Sequence, residues 1–193
     1  MWQQILPGLR LKIFMTIVLG VLYPLAITGI SQVLFPHQAN GSLITVGGKV
    51  VGSELIGQNF SKPEYFQPRP SAAGNDGYDP TASGGSNYGP TSQKLADRVK
   101  ASVDKFRKDN PDYTGPLPAD LVTASASGLD PHISPDSATA QAARVAKARG
   151  VSADQVGQLI AQVTEGPDLG ILGEPRVNVL KLNIVLDEKF PRK

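Results

Sequence analysis

The chain of 193 residues contains no cysteine, which excludes disulfide staples, thiolate catalysis and cysteine-ligated zinc. Histidine is nearly absent as well: His37 and His132 are the only two, they stand far apart, and neither belongs to an H-x-x-x-H pattern. No metal site is expected from so poor a donor set. A basic excess is also missing. Beyond Arg10 and Lys12 the chain carries seventeen basic and seventeen acidic residues, whereas a nucleic-acid reader shows a cationic stripe. The densest basic run, Lys100 to Lys108, contains Asp104 and follows a helical period, as the solvated face of a helix does. No nucleic-acid partner is expected.

Catalytic signatures fail in the same way. No G-x-S-x-G elbow occurs, because Ser125 and Ser127 are flanked by alanines except at Gly128. The "GGK" at Gly47 to Lys49 has Leu43 where a phosphate-binding loop needs its first glycine, and Val50 where it needs a hydroxyl. Ser102 and Lys105 match S-x-x-K, but they sit in and beside the apolar stripe of an amphipathic helix, so the match is read as chance.

One long run is present. From Ile13 to Phe35 the chain reads "IFMTIVLGVLYPLAITGISQVLF", 23 residues without a charge, which as a helix spans ~35 Å against a hydrocarbon core of ~30 Å. A cleaved signal would have a shorter apolar region and a small-x-small site, which "FPHQAN" does not supply. Arg10 and Lys12 precede the run and the next basic residue is Lys49. The positive-inside rule therefore predicts residues 1–12 in the cytoplasm, 13–35 in the membrane and 36–193 outside. Thr16, Gly20, Pro24 and Thr28 recur every four residues along one side of the span. They read either as a helix-packing stripe or as the ordinary small-residue content of membrane helices.

Glycine (20) and proline (16) together make up almost a fifth of the chain, so long irregular connections are predicted. "SLITVGGKVVG", Ser42 to Gly52, reads as a β-hairpin turning at Gly47-Gly48. The stretch 57–90 is rich in glycine, proline, serine and asparagine yet carries five aromatics; a loop of that length and composition is expected to be ordered and functional. Leu95, Val99, Val103 and Phe106 share a helical face ahead of Pro111. Ser134-Pro135-Asp136 opens a helix that "RVAKARG" closes at Gly150. Ser152 and Gln155 form a capping box for the next helix, which pairs with its predecessor. Pro175 to Leu186, "PRVNVLKLNIVL", apolar on both alternating faces, is expected to be a central strand. The fold class is α+β: one N-terminal transmembrane helix, then a mixed domain with long Gly/Pro-rich loops.

The segment "ASASGLDPHISPD", Ala124 to Asp136, gathers Ser125, Ser127, Asp130, His132 and Ser134. It invites a hydrolase reading, but Ser134 is a helix N-cap and Asp130-Pro131 a turn dipeptide, so part of its polarity already has structural work. Triads are recognised by geometry rather than by nearness in sequence.

The runs "GSELIGQNF", "YFQPRPSA", "SGGSNYGP", "DLVTASASGLDPHISP" and "LGEPRVNVLKLNIVL", in this order behind one N-terminal span, closely resemble the C subunit of the bacterial Kdp-type potassium-transporting ATPases. That resemblance implies an accessory, non-catalytic subunit, with a channel-like A subunit, an ATP-hydrolysing P-type B subunit and a small F subunit as partners beside membrane lipid. It implies no cofactor of the chain's own, ATP and potassium being handled by the partners. The chain agrees in lacking an Asp-Lys-Thr-Gly phosphorylation sequence; the nearest run is Asp104-Lys105-Phe106. The family is also described as a chaperone raising the ATP affinity of the B subunit, partly through its "SGGS" loop. The predicted topology opposes this by placing Ser83 to Ser86 outside. Candidate subunit contacts are Thr16, Gly20, Pro24 and Thr28 in the span, and Arg69, Ser71, Ser83, Gly84, Gly85, Ser86, Asn87, Ser125, Ser127, Asp130 and His132 in the loops. The alternatives are an anchored serine hydrolase or transferase and a stand-alone anchored ligand-binding domain.

Overall fold

The computed structural model of the chain describes residues 2–191 and divides into two compact units, Met1–Val51 and Gly52–Lys193.

The first unit is led by one long helical run. Helix α1 (Trp2–Ile17) passes through a π-helical turn, Val18–Leu22, into α2 (Tyr23–Leu34). Pro24 explains the turn: it has no N–H to donate and its ring crowds the preceding turn. The chain answers by widening, and the Tyr23 N–H donates to the Val18 carbonyl five residues back. The apolar run expected over 13–35 is thus the distal part of a helix that starts at Trp2. Gln3–Leu34, 32 residues, is long and apolar enough to cross a membrane. A short helix α3 (Pro36–Ala39) follows, then the strands β1 (Leu43–Val46) and β2 (Lys49–Ser53) of the predicted hairpin. Gly47 and Gly48 turn it with φ of 58° and 79°, the pair of left-handed residues a tight two-residue hairpin turn demands.

The second unit is built on helices. The sequence signals for α4 (Gln93–Asp109), α5 (Pro135–Arg149) and α6 (Ala153–Val163) all appear in the fold. Ser134 caps α5 by accepting the Ser137 N–H at 3.1 Å, and Gly150 leaves it at φ 68°. The Ser152/Gln155 capping box is closed in both directions. α5 and α6 pack against each other.

One expectation is overturned. Pro175 to Leu186 is not a central strand: only Val177–Asn178 is extended (β4), and Val179–Lys189 is helix α7. β4 pairs antiparallel with β3 (His132–Ile133), Ile133 opposite Val177 and His132 opposite Asn178. The physical reason lies at Asn178, whose side-chain oxygen accepts the Lys181 N–H at 3.1 Å and so starts a helix. Because α7 is buried around most of its circumference, its apolar residues show no clean helical stripe. Val179, Leu182 and Leu186 lie one turn apart in the core, and Leu180 and Asn183 are buried beside them. The fold remains α+β, with two small two-stranded sheets.

The main core joins Val145 and Ala146 of α5, Val156, Leu159 and Ile160 of α6, Leu182 and Leu186 of α7, the two short strands, and Phe66 from the long loop. A smaller cluster sets Phe106 of α4 against Leu121 and Ala140.

Candidate functional site

The 57–90 stretch has one short helical turn, Pro80–Ala82, among its described residues, yet it is docked at many points between Gly57 and Gly85. Phe66 is fully buried. Its backbone N–H donates to Asn183 Oδ1 at 2.9 Å and its carbonyl accepts from Asn183 Nδ2 at 3.0 Å, so one amide side chain reads the loop as a neighbouring strand would. Gln141 does the same one residue on, accepting the Gln67 N–H at 2.8 Å and donating to the Gln67 carbonyl at 3.0 Å. Arg144 donates to the carbonyls of Pro63 and Tyr65 while its Nε meets Asn110 Oδ1 at 2.9 Å. Arg149 donates to the Glu64 carbonyl and lies 4.9 Å from the Tyr65 ring centre. These clamps replace the ladder that a loop lacks. Burial lowers the pKa of the Arg144 guanidinium, an opposing push coming from Asp109.

At the far end of the loop the predicted polar residues converge. Arg69 Nη1 lies 2.8 Å from Asp130 Oδ2. Ser71 Oγ donates to the Gly128 carbonyl at 2.6 Å and accepts the N–H groups of Ala73 and Tyr78. The Gly84 N–H and the Ser83 hydroxyl both donate to the Ser127 carbonyl, at 2.8 and 3.0 Å. Two glycines permit this close approach. A Cβ on Gly85 would stand 2.9 Å from the Ala126 carbonyl oxygen, and one on Gly128 (φ 67°) would stand 2.8 Å from Ala73 N and Gly84 O. The loops around 69–71, 83–85 and 125–132 therefore form one knot. Ser86 is half-buried beside it and Asn87 is exposed, with φ of 50°. Thr16, Gly20, Pro24 and Thr28 belong to the long helix of the other unit; the Cβ position of Gly20 lies 3.7 Å from Thr16 Cγ2, so these two share a face.

The knot also decides what its polar atoms do. Ser127 Oγ accepts the Leu129 N–H at 3.1 Å. Ser134 is spent on the α5 cap and on Asp120, 3.1 Å from its hydroxyl. His132 donates its backbone N–H to Asp130 Oδ1 at 3.0 Å, with Nδ1 3.5 Å from the same oxygen. Among the described residues no serine hydroxyl is hydrogen-bonded to His132, so the Asp–His contact lacks the nucleophile that a triad requires. Burial works to raise the Asp130 pKa, but hydrogen bonds from His132 and the Arg69 guanidinium together hold it below the usual carboxylate value. Burial, reinforced by the Asp130 charge, pushes the Tyr78 phenol well above its ordinary value; its hydroxyl donates to the Arg69 carbonyl at 2.8 Å. Protonated, it is a fixed donor.

Tyr78, Gln141, Arg144 and Asn183 are site-building residues that sequence reasoning passed over. Gln141 and Arg144 on α5 and Asn183 on α7, at otherwise buried positions, were the available signal, since such groups are buried only with partners. A cleft of about 430 Å³ lies between the loop and α4, with Ser102, Lys105, Arg69 and Tyr78 in its lining. Lys105 is ion-paired there with Asp109. Among the described residues no group of three or more His, Asp or Glu side chains is placed to hold a metal ion.

A family model described as "K+-transporting ATPase, c chain" matches residues 5–188. The chain is 56% identical over 191 residues to the "Potassium-transporting ATPase KdpC subunit" of Myxococcus xanthus, covering 98% of this chain and 90% of that one. The protein of the same name from Rhodospirillum rubrum is 56% identical over 191 residues, covering 99% and 98%. That from Gemmatimonas aurantiaca is 57% identical over 187 residues, covering 97% and 94%.

Proposed function

This chain belongs to the family of the c chain of K+-transporting ATPases, and from that premise we propose that it is the non-catalytic, single-span subunit that assembles and couples the other subunits of a potassium-uptake complex. The knot of three loops is the observation that carries the reading. Its serines, aspartate and arginine satisfy backbone groups and one another, which makes a rigid polar surface rather than a reaction centre. The partners are the channel-like A subunit, the P-type B subunit and the small F subunit. ATP and potassium are handled by those partners, and the chain needs no cofactor of its own.

Arg10 and Lys12, ahead of the uncharged run 13–35, favour a cytoplasmic N-terminus, with residues 36–193 on the outer face of the inner membrane. That placement ranks structural coupling above direct ATP contact through Ser83 to Ser86. The test is purification of the tagged full chain from native membranes in mild detergent. Co-elution of the A, B and F subunits is expected; elution as a ligand-binding monomer would overturn the reading. Protease added to intact spheroplasts should digest the chain beyond Phe35, and protection of that region would reverse the topology.

A further inference from the structure

Between α6 and β4 the chain forms a narrow antiparallel arm with an apolar end. Glu165 and Arg176 exchange both backbone hydrogen bonds at 2.9 Å, and Asp168 and Leu172 exchange theirs at 2.8 and 2.9 Å, so the arm carries two ladder rungs. The Arg176 guanidinium braces it from one side, 3.2 Å from Glu165 Oε2 and 3.2 Å from Asp168 Oδ1. Lys181 of α7 fastens its base, reaching Glu165 at 3.4 Å and Glu54 at 2.9 Å. At and beyond the second rung the arm holds its apolar side chains out in water: Leu169 is 90% exposed, Ile171 82% and Leu172 56%.

This tip is costly in two separate ways. A leucine and an isoleucine in solvent forgo the burial that favours both. Leu169 in addition sits at φ 55°, a left-handed conformation that a Cβ-bearing residue resists and that asparagine or glycine would adopt more readily. Among the described residues nothing covers Leu169 or Ile171, which suits a tip that is buried by something else.

We propose that residues 165–176 are a docking finger that inserts Leu169 and Ile171 into an apolar pocket with a basic rim on another subunit of the K+-transporting ATPase. The charge of the arm selects that occupant. Within the arm Glu165, Asp168 and Glu174 outnumber the one cation, Arg176, which engages Glu165 and Asp168, while Lys181 of α7 shares Glu165 from outside the arm. A lipid surface is a poor match, because the arm has no tryptophan, tyrosine or lysine and would bring net negative charge to the headgroups. A second copy of this chain is a poor match too, since a two-fold contact would set acidic arm against acidic arm. A cationic rim around an apolar pocket complements both features.

The inference rests on the reading that the chain is a complex subunit, and the experiment separates the two. A photoreactive benzoyl-phenylalanine replaces Ile171 in the full-length chain, expressed with the other ATPase subunits in native membranes, and the cross-linked species is identified by mass spectrometry. In parallel, recovery of the complex is compared between the parent and the Leu169→Ser/Ile171→Ser variant, with circular dichroism and thermal melting as controls. The finger predicts cross-linking to one ATPase subunit, a several-fold loss of complex recovery in the double variant and an unchanged melt, because the exposed side chains support nothing in the free chain. A charge reversal, Glu174→Lys, should weaken recovery in the same direction. Cross-links to lipid alone, cross-links to a second copy of this chain, or equal recovery of parent and double variant would overturn the finger while leaving the subunit reading in place. Failure of the parent itself to co-elute with ATPase subunits would overturn both.

Discussion

Arg69 and Asp130 lie 61 residues apart in sequence and meet at 2.8 Å, closing the long Gly/Pro-rich loop onto the segment that leads into α5. The pair is half-buried, and each partner has other work to do. The Arg69 carbonyl accepts from the Tyr78 hydroxyl, while Asp130 Oδ1 accepts the His132 N–H. Fixing one contact therefore fixes the entry to β3 and the far end of the loop together.

Asp130→Asn should lower the stability of the full chain in detergent by about 1–2 kcal/mol at pH 7, the range of a charge-assisted hydrogen bond that solvent partly screens. The pH dependence gives the signature. Because the folded-state pKa of Asp130 is lowered, its contribution is complete above the unfolded value of ~3.9 and is lost as pH falls through the folded value. Denaturant titrations of parent and variant should differ by a constant amount from pH 7 down to about pH 5, then converge in acid. A difference that persists unchanged to pH 2 would show that the carboxylate charge is not what holds the knot.

Arg144→Met should be among the most damaging single changes. It keeps most of the aliphatic stem but strips donors from Pro63 O, Tyr65 O, Asn110 Oδ1 and Gln141 Oε1, leaving buried acceptors unpaired. The expected loss is about 3 kcal/mol, or a fall in Tm of roughly 6–12 °C for a chain of this size. Arg144→Lys should recover only part of it, because an ammonium cannot reproduce the planar fork. Full recovery by lysine in a thermal melt would mean that charge alone, not the fork, positions the loop.

Caps and turns were legible in the sequence because a single residue type at a single place carries each signal. Ser134, Gly150, Ser152 with Gln155, and Gly47-Gly48 all do in the fold what their types imply. The ordered character of 57–90 was legible from its aromatics, of which Phe66 and Tyr78 prove to be anchors. α7 was not legible. Its β-branched, two-sided apolarity matches a buried strand as well as a buried helix, and the deciding signal, Asn178 as a cap, stands inside the run instead of before it. The pairing of Arg69 with Asp130 and of Ser83 with Ser127 was hidden for another reason: contacts across some 40 to 60 residues of irregular chain leave no periodic trace.

Gly20→Leu should weaken assembly without harming the helix. A Cβ at this position meets nothing closer than Thr16 Cγ2, at 3.7 Å, and leucine is a strong helix former, so the isolated span should tolerate it. A neighbouring helix packed on the Thr16, Gly20, Pro24 and Thr28 side would be pushed away. Recovery of the complex in mild detergent should fall several-fold for Gly20→Leu and stay near parent for Leu22→Phe, which lies off that side. Equal recovery from the two variants would remove the stripe as an interface.

Ser127→Ala and His132→Ala separate the subunit reading from the hydrolase reading. If Ser127 or His132 performs chemistry, its loss should reduce turnover by several orders of magnitude while assembly stays intact. The geometry predicts another outcome. Ser127 Oγ supports the Leu129 N–H, and the His132 ring lies against Asp130, so each substitution should loosen the knot by about 1 kcal/mol and lower the yield of complex. Potassium-stimulated ATPase activity, divided by the amount of intact complex, should then remain within about twofold of the parent, since a change of that size is only ~0.4 kcal/mol in barrier height. Ser134→Ala serves as the calibrating variant. It removes an N-cap and the contact with Asp120, and should destabilise the chain by about 1 kcal/mol with the same constant activity per complex. A collapse of activity per complex at Ser127 or His132 with full assembly, absent at Ser134, would place chemistry in this loop and overturn the assembly role.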